Sequence, residues 1–391
     1  MRTCRVGLCG RNTRLYKDPD FGIVRDAKIE MLKVMSFTSR EVLDKLRDEN
    51  PGIEFIVRLY DDRIGRTWRP EPQDFFDYTK GEVNRLKSVA TLFEIHNEPN
   101  HPSGLEGWGT GDDSAVSFNE WFIAVYNLFK ASWQGCSFGF PGLAVPHRDF
   151  EWLEICRRAI EKADWLGVHC YWQNPTWAES NQFSDMWGLR FKQYNSKFPS
   201  KMLHITEFGN SNCQGNYPLN DQVMAREYVD YYAELFKHDC LCSASAFIMS
   251  ATDWPGFSWR TEKGYVRPVV GAVGKMDRPD LVGWTPSEPA PPPPPIPDHP
   301  PVPGPDPEPF PDPEPTPAPE PTPEPSPSPS PVIEGGCGDW VWLPVLDAPF
   351  NLAFAAFVNN GLMRYGLYDM VLTLPPEDEE FIREKLRERC R

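Results

Sequence analysis

The sequence predicts an α/β protein whose main domain is a (β/α)8 TIM barrel, followed by a proline-rich linker and a small C-terminal module. Short β-rich runs alternate with amphipathic helical runs from residue 4 to about residue 275, which is typical of a parallel sheet with helical crossovers. Eight β-rich runs in this length match the size and strand number of the barrel. An open doubly wound sheet would need a Gly-rich phosphate-binding turn after its first strand. The nearest match, Gly7-Leu8-Cys9-Gly10, is better explained as a strand end made of small residues.

The strands are predicted where β-branched, aromatic and other apolar residues concentrate between turn residues. In chain order they span residues 4–10, 30–35, 54–60, 91–96, 137–144, 164–171, 202–208 and 243–250. Helices are predicted between them at residues 39–49, 74–89, 118–133, 150–163, 185–198 and 221–236. Ser39, and either Asn220 or Asp221, precede runs of helical periodicity and are expected to cap two of these helices.

The composition changes sharply after the predicted barrel, which divides the chain into domains 1–285, 286–331 and 332–391. Residues 286–331 contain 25 of the 43 prolines and neither Lys nor Arg, so they predict an extended polyproline-II linker kept in water by its acids. Residues 332–391 regain apolar character and end in a charged helix predicted at 376–391. Their apolar run is interrupted by polar residues and cannot span a membrane. They carry no motif, and a role in binding a surface or polymer is a hypothesis from their position.

The formal net charge of −16 is concentrated towards the C-terminus. Residues 286–331 contribute −8 and residues 332–391 contribute −4, which leaves −4 for the first 285 residues. A nearly neutral main domain suits an uncharged substrate. It lacks the basic stripe that nucleic acid binding requires, so nucleic acid is excluded as the partner.

The ten cysteines are irregularly spaced and indicate neither a zinc ribbon nor a disulfide framework. Most are expected to be buried, whereas Cys337 and Cys390 could either pair in an oxidising compartment or remain two thiols.

The localisation of the protein stays open. Residues 1–11 lack the apolar stretch of a signal peptide, but a proline-rich linker of this composition favours an extracellular or surface-associated enzyme.

Polar side chains are placed at the C-terminal ends of four predicted strands, of which strand eight runs on into Asp253-Trp254. Strand four ends in Asn97-Glu98-Pro99, where the proline cannot donate to a ladder. Strand six carries His169 and Tyr171, which face the same way because side chains alternate along a strand, and strand seven carries Glu207. All strand ends of a barrel open on one face, so we expect these side chains to meet there.

Two carboxylates across a barrel mouth can cleave a glycosidic bond: one donates a proton to the leaving group and the other attacks the anomeric carbon. Glu98 and Glu207 are the candidates. Asn97 can bind the 2-hydroxyl group of the sugar, and Tyr171 can donate to Glu207 and keep it ionised. Each residue alone is more often a structural feature, and only their combination favours a glycosidase.

The order of these motifs resembles the signature of the retaining (β/α)8 glycoside hydrolases of the large clan that contains cellulases, mannanases and β-1,3-glucanases. The resemblance covers residues 1 to about 283. It rests on the strand-end motifs Asn97-Glu98-Pro99, His169-X-Tyr171, Thr206-Glu207-Phe208-Gly209 and, after strand eight, Trp254.

This resemblance implies that Glu98 is the acid/base and Glu207 the nucleophile. It also implies sugar contacts from Asn97, His169, Tyr171 and Trp254. The clan places an arginine from an early strand near the nucleophile, and Arg58 is our candidate. Five tryptophans in predicted loops could stack on sugar rings, and Trp172 is the one we count among the substrate-binding residues: Trp68, Trp108, Trp172, Trp177 and Trp259.

The sequence therefore predicts a retaining endo-β-glycosidase of a β-linked polysaccharide, with neither a cofactor nor a metal. The motifs Gly167-Val168-His169-X-Tyr171 and Thr206-Glu207-Phe208-Gly209 favour a β-glucan, since they resemble the small β-1,3-glucanase-like members of the clan. One alternative is a catalytically silent carbohydrate-binding barrel tethered to a surface. Another is a metal-dependent hydrolase, which would need a His-X-His pair at strand ends, and none of the seven histidines is so spaced.

Overall fold

The computed structural model describes residues 1–65, 68–103, 106–174, 180–214, 220–284, 340–344, 353–359 and 362–364. The chain divides into two units, Met1–Ile296 and Pro297–Arg391. In the first unit, eight parallel strands close into a barrel in sequence order, so the predicted TIM barrel is confirmed. Within the described ranges, no helix is long and apolar enough to cross a membrane.

All eight barrel strands lie where they were predicted, with bounds that differ by a few residues. The strand β8 pairs with β1 and closes the ring. The strands are β1 (Arg5–Cys9), β2 (Met31–Met35), β3 (Glu54–Leu59), β4 (Leu92–Ile95), β5 (Ser137–Phe140), β6 (Trp165–Trp172), β7 (Leu203–Asn210) and β8 (Leu241–Ala246).

The helices form the outer layer. They are α1 (Asp18–Asp26), α2 (Arg40–Glu49), α3 (Pro72–Leu86), α4 (Asp112–Ser132), α5 (Asp149–Ile155), α6 (Arg157–Lys162), α7 (Phe191–Lys197), α8 (Asp221–Leu235) and α9 (Val269–Lys275), with a 3-10 turn at Ser211–Gln214. The sequence did not predict α1 and α9, and the helix predicted at 150–163 is divided at Cys156. Both predicted caps are present: Ser39 Oγ accepts from the Val42 amide at 3.4 Å, and Asn220 Oδ1 accepts from the Val223 amide at 2.8 Å.

Side chains alternate between the barrel interior and the helix layer along each strand. At the lower end of the barrel, Met31, Ile56 and Trp165 fill the interior as a small apolar plug. Gly139 leaves the space for the indole of Trp165, because a Cβ there would lie 2.2 Å from the ring. The interior is thus closed below by apolar packing, and its polar side chains lie towards the C-terminal ends of the strands.

The chain's N-terminus is held by a strap, which is formed by Arg2 and residues 279–282. The Arg2 amide donates to the carbonyl of Asp280 and the Val282 amide donates back to Arg2, both at 2.8 Å. The Arg2 guanidinium is buried and pairs with Glu30, which follows α1. The strap therefore joins both ends of the barrel domain to β2.

The described part of the second unit is a three-stranded antiparallel sheet in the order β11-β10-β9. Its strands are β9 (Trp340–Pro344), β10 (Ala353–Asn359) and β11 (Leu362–Arg364). The predicted linker, the predicted helix at 376–391 and the pair Cys337 and Cys390 lie outside the described residues. Seven cysteines of the barrel domain are free thiols, and six of these seven are buried, the exception being Cys240.

Candidate active site

Glu98 is held at the mouth of the barrel by a tight turn after β4. Its backbone has a positive φ of 42°, a conformation that side-chain-bearing residues rarely adopt, and its amide donates to the carbonyl of Gly142 at 3.0 Å. The buried amide of Asn100 fixes the same turn, donating to the carbonyl of Ala144 and accepting from its amide. The turn is thus bound to the chain after β5, which aims Glu98 at the barrel axis.

Glu207 reaches the interior because β7 contains a bulge. Ile205 packs outward in the helix-facing core, so strict alternation would also place Glu207 outward. However, Ile205 pairs with Val168 whereas Glu207 pairs with the next residue, His169, and Thr206 is the extra residue between them. The bulge reverses the phase of the strand, which turns Glu207 inward and leaves Phe208 in the outer core.

The two carboxylates meet around a histidine. Oxygen atoms of Glu98 and Glu207 and a ring nitrogen of His169 all lie within 4.8 Å of one another. His169 Nδ1 lies 2.8 Å from Glu98 Oε1, and the Tyr171 hydroxyl donates to Glu207 Oε2 at 2.9 Å, a hydrogen bond that the sequence predicted. The structure therefore brings together the four residues that the sequence placed at the ends of three strands.

His169 is buried against the chain that follows β5. A Cβ at Gly142 would lie 2.3 Å from His169 Nε2, so only glycine leaves room for the ring. Burial alone would lower the pKa of His169, but the charges of Glu207 and Glu98 outweigh it and raise the pKa above its usual value. The raised pKa favours protonation of the ring, and His169 Nδ1 shares a hydrogen bond with Glu98 Oε1. His169 is fully buried, so it positions a carboxylate, whereas its predicted contact with sugar stays a prediction.

Lys33 of β2 is the cation that contacts Glu207. Its buried ammonium lies 3.1 Å from Glu207 Oε1, 2.8 Å from Glu94 Oε2 and 3.4 Å from Asn97 Oδ1. Burial alone would lower the pKa of Lys33, but the charges of Glu207 and Glu94 raise it above its usual value. The lysine is therefore charged and is shared between two buried carboxylates.

Glu207 is ionised in this setting. Burial alone would raise the pKa of Glu207, but the positive charges of His169, Lys33 and Arg58, together with the Tyr171 hydrogen bond, lower it to about 2. Burial and the neighbouring carboxylates raise the pKa of Tyr171 well above its usual value, so the phenol keeps the proton that it donates. Glu207 is thus an oriented carboxylate anion.

A cavity of about 380 Å³ opens beside Glu207. It lies towards the ends of β1, β2, β3 and β8, and its wall contains both charged and aromatic side chains. Among the lining residues are Arg11, Lys33, Phe37, Arg58, Tyr60, Glu106, Glu207, Phe247 and Trp254. Trp254 is 43% exposed and packs edge-on against Phe247 at 5.7 Å, so it presents a ring to the cavity, as its predicted role would require.

The predicted substrate-binding role of Trp172 is wrong. Trp172 lies two residues after Cys170 on the outward face of β6, is fully buried and packs against Tyr231 of α8 at 4.8 Å. Trp108 and Trp259 are also buried and cannot stack on a sugar, whereas Trp68 is partly exposed. Trp177 lies outside the described residues.

Arg58 lines the cavity, but it is not the cation in contact with Glu207. Its guanidinium pairs with Glu106 at 3.1 Å, whereas the Lys33 ammonium lies 3.1 Å from Glu207. The signal for Lys33 and for Glu94 was present in the sequence. Each is a charged residue within an apolar strand. Lys33 lies two residues after Met31, and Glu94 lies two residues after Leu92. Because Met31 and Leu92 pack inside the barrel at its lower end, alternation places Lys33 and Glu94 inside as well.

Among the described residues, Glu98, His169 and Glu207 are the group whose donor atoms lie close enough to hold a metal ion. Their electrostatics do not suit one. The two oxygens of Glu207 already contact the Lys33 ammonium and the Tyr171 hydroxyl, and His169 Nδ1 contacts Glu98. A divalent cation would have to displace these contacts beside a buried lysine, so the arrangement suits acid–base and nucleophilic chemistry better than metal binding.

No protein-family model and no curated protein matches the chain. Solved structures do match. A GH128 (subgroup II) endo-β-1,3-glucanase from Sorangium cellulosum aligns with a TM-score of 0.51 and 14% identity over 70% of this chain and 99% of its own. A monomeric β-xylosidase from Caulobacter crescentus CB15 aligns with a TM-score of 0.51 and 14% identity over 70% and 67% of the two chains.

A calcium-binding mutant of β-glucuronidase 2 from Bacteroides uniformis aligns with a TM-score of 0.53 and 10% identity, over 69% of this chain and 34% of its own. At such low identities the likeness concerns the backbone alone. The barrel of this chain therefore has the (β/α)8 fold that is found in these glycoside-cleaving enzymes.

Proposed function

We propose that the barrel is a retaining β-glycosidase in which Glu207 is the nucleophile and Glu98 the acid/base. The observation that carries the proposal is the closeness of the two carboxylates: one oxygen of Glu98 and one oxygen of Glu207 lie within 4.8 Å of each other. Retaining enzymes hold their carboxyl groups about 5–5.5 Å apart, whereas inverting enzymes need about 6.5–9.5 Å to admit a water molecule between carboxylate and sugar. The close spacing supports direct attack by a carboxylate.

The reaction has two displacements. Glu207 attacks the anomeric carbon while Glu98 donates its proton to the glycosidic oxygen, so the C–O bond breaks and the leaving sugar departs as an alcohol. Glu98 then takes a proton from water, the water oxygen attacks the anomeric carbon, and Glu207 leaves as a carboxylate. The anomeric configuration is inverted twice and thus retained.

The surroundings of the pair support these roles. The Lys33 ammonium and the Tyr171 hydroxyl keep Glu207 ionised and oriented before attack. His169 orients Glu98 through its 2.8 Å contact. Asn97 lies beside Glu98 at the end of β4, where its amide can bind the sugar's 2-hydroxyl group.

The proposed substrate is a β-linked polysaccharide, with a β-glucan favoured and endo action expected. The strand-end motifs named above and the similarity in fold to a protein named as an endo-β-1,3-glucanase support this choice. The residues after the barrel would hold the enzyme near an extracellular surface or polymer. No cofactor is required for the proposed chemistry.

The proposal is tested with Glu207→Ala and an activated aryl β-glycoside. The variant should lose turnover and recover it in sodium azide, because the small anion fills the vacated space and attacks the anomeric carbon to form a glycosyl azide of inverted configuration. Glu98→Ala should slow turnover of a β-glucan by about 10²–10⁴-fold, the usual contribution of acid catalysis. Glu120→Ala, at a surface ion pair, is the control.

Proton NMR of the first sugar released by the wild-type enzyme gives the stereochemistry. The expected product is the β-anomer. An active Glu207→Ala variant without azide would contradict the assignment of the nucleophile, and an α-anomeric product would contradict retention. Binding of β-glucan, mannan and xylan without release of reducing ends would instead identify a carbohydrate-binding barrel.

A further inference from the structure

Arg58 and Glu106 form an ion pair in the cavity wall that the proposed chemistry does not use. Arg58 Nη2 donates to both carboxylate oxygens of Glu106 at 3.1 Å. Both side chains are largely buried, with 13% and 27% of their surfaces exposed, and both line the cavity beside Glu207. The pair is therefore shielded from bulk water but open to a ligand in the cavity.

The backbone around Glu106 is fixed. The His96 ring contacts the Glu106 carbonyl at 2.6 Å, and burial lowers the pKa of His96, so a neutral ring donates its Nε2–H to that carbonyl. The Arg69 side chain donates to the next two carbonyls, those of Gly107 and Trp108. These contacts hold the Glu106 carboxylate in place before any ligand arrives.

Arg58 keeps hydrogen-bonding capacity for a ligand. Its Nε is buried, and it finds no hydrogen-bond partner within the described part of the chain. That buried donor is costly, and a ligand oxygen can reach Arg58 through the part of its guanidinium that is exposed in the cavity wall. The rings of Tyr60 and Trp254 line the same cavity and can pack against the faces of a sugar.

We propose that Arg58 and Glu106 form the subsite that binds the glycone beside Glu207, and that they select an uncharged sugar with free adjacent hydroxyl groups. This inference rests on the proposed glycosidase function. Glu106 accepts hydrogen bonds from the hydroxyls, and Arg58 donates to their oxygens. A sugar that carries a carboxylate is repelled by Glu106, because the guanidinium charge of Arg58 is already neutralised.

The selection should reverse when Glu106 loses its charge. Glu106→Gln is nearly isosteric but leaves Arg58 as an unpaired cation in the wall, where it can bind a sugar carboxylate. The test compares 2,4-dinitrophenyl β-glucoside with 2,4-dinitrophenyl β-glucuronide as substrates. We expect the KM of the variant for the glucoside to rise about tenfold, with a smaller change in kcat, through loss of one charge-assisted contact. The ratio of kcat/KM for glucuronide to that for glucoside should rise about a hundredfold.

Two further variants separate a recognition role from a structural one. Glu120→Gln removes a carboxylate from a surface pair with Arg158 and should leave the ratio unchanged. Arg58→Met should weaken glucoside binding without any gain for the glucuronide. An unchanged ratio in Glu106→Gln, with a thermal unfolding midpoint like that of the wild type, would overturn the inference.

Failure of the proposed function is recognised independently. If the wild-type protein cleaves neither aryl glycoside nor any β-glucan, the catalytic assignment fails, and calorimetric titration with laminaripentaose then tests the subsite alone. Binding by the wild type that weakens about tenfold in Glu106→Gln would keep the inference. Equal binding by both proteins, or binding by neither, would overturn it.

Discussion

At the scale of single residues, Lys33 sets the charge balance of the barrel mouth. One ammonium group lies between two buried carboxylates, so its loss would leave Glu94 and Glu207 without their nearest compensating charge. Breaking a buried ion pair by removing one partner typically costs about 3–5 kcal/mol. The lysine thus serves stability and the proposed chemistry through the same two contacts.

We predict that Lys33→Met moves the acid limb of the pH profile upward. In the wild type the pKa of Glu207 is about 2, below the ordinary value of 4.5, so Glu207 is ionised above pH 2. The stability that its ionised form contributes is present above pH 4.5 and is lost as the pH falls towards 2. Removing Lys33 raises this pKa, and we expect the acid limb of kcat/KM to shift by about 1–3 pH units.

The matched variant is Lys33→Arg, which keeps the charge and should leave the limb near its wild-type position. The measurement is kcat/KM from pH 2 to pH 8 on an activated aryl glycoside, with a thermal unfolding midpoint at each pH; the limb of Lys33→Arg should fall at the acid end of this range and that of Lys33→Met well inside it. A limb in Lys33→Met that coincides with that of Lys33→Arg would show that the lysine charge does not act on Glu207.

Much of the site was predictable at this scale because its residues stand out against apolar strands. Glu98, Glu207, His169 and Tyr171 were found in this way and meet in the structure. Glu106 could not be found, since it lies in a loop and its position depends on contacts with His96 and Arg69, which are distant in sequence. Trp172 was misjudged because its strand extends one residue beyond the predicted end and continues the outward phase of Cys170.

At the scale of secondary structure, the strands and most helices followed from hydrophobic periodicity. The missed helices are short: α1 has nine residues, and α9 has seven, two of them glycines, so neither fills the window of about 11–18 residues over which helical periodicity is recognised. Capping residues were more informative. Asn220 begins α8, the helix that packs Tyr228, Tyr231 and Tyr232 against the barrel.

We predict that Asn220→Ala lowers the free energy of unfolding by about 1 kcal/mol, the usual contribution of an N-cap. The reason is that the Val223 amide loses its 2.8 Å hydrogen bond to the side chain. Denaturant unfolding measures the change, and Asn220→Asp, whose side chain is an equally good cap, should be close to the wild type. A loss as large in Asn220→Asp would show that the amide group itself is needed.

At the scale of the whole molecule, the fold class followed from the count and order of the elements. The strap formed by Arg2 and residues 279–282 was not predictable, because no periodicity marks a pair of backbone hydrogen bonds between the first residues and the end of the barrel domain. The strap also indicates where this domain ends. Residues 279–282 are part of it, although they follow the last helix.

We predict that a chain ending at residue 284 keeps the thermal stability of the barrel, whereas a chain ending at residue 277 is less stable. The shorter chain loses the 2.8 Å backbone bonds to Arg2 and the Arg278 contacts to the carbonyls of Ala27 and Lys28. Differential scanning calorimetry measures the difference, with hydrolysis of the aryl glycoside as the second readout. Equal midpoints for the two chains would contradict a stabilising role for the strap.

The bulge in β7 determines which side chains of that strand face the barrel interior. Thr206 is one extra residue in the strand. Each side chain after it therefore faces the side opposite to the one that strict alternation from Ile205 would give. If the strand straightened without losing a residue, Glu207 would turn into the helix layer and Phe208 into the barrel mouth, whereas deletion of Thr206 would leave Glu207 directly after Ile205 and still facing inward. The inward position of Glu207 therefore depends on the conformation of the bulge, and loss of the extra residue itself would preserve it.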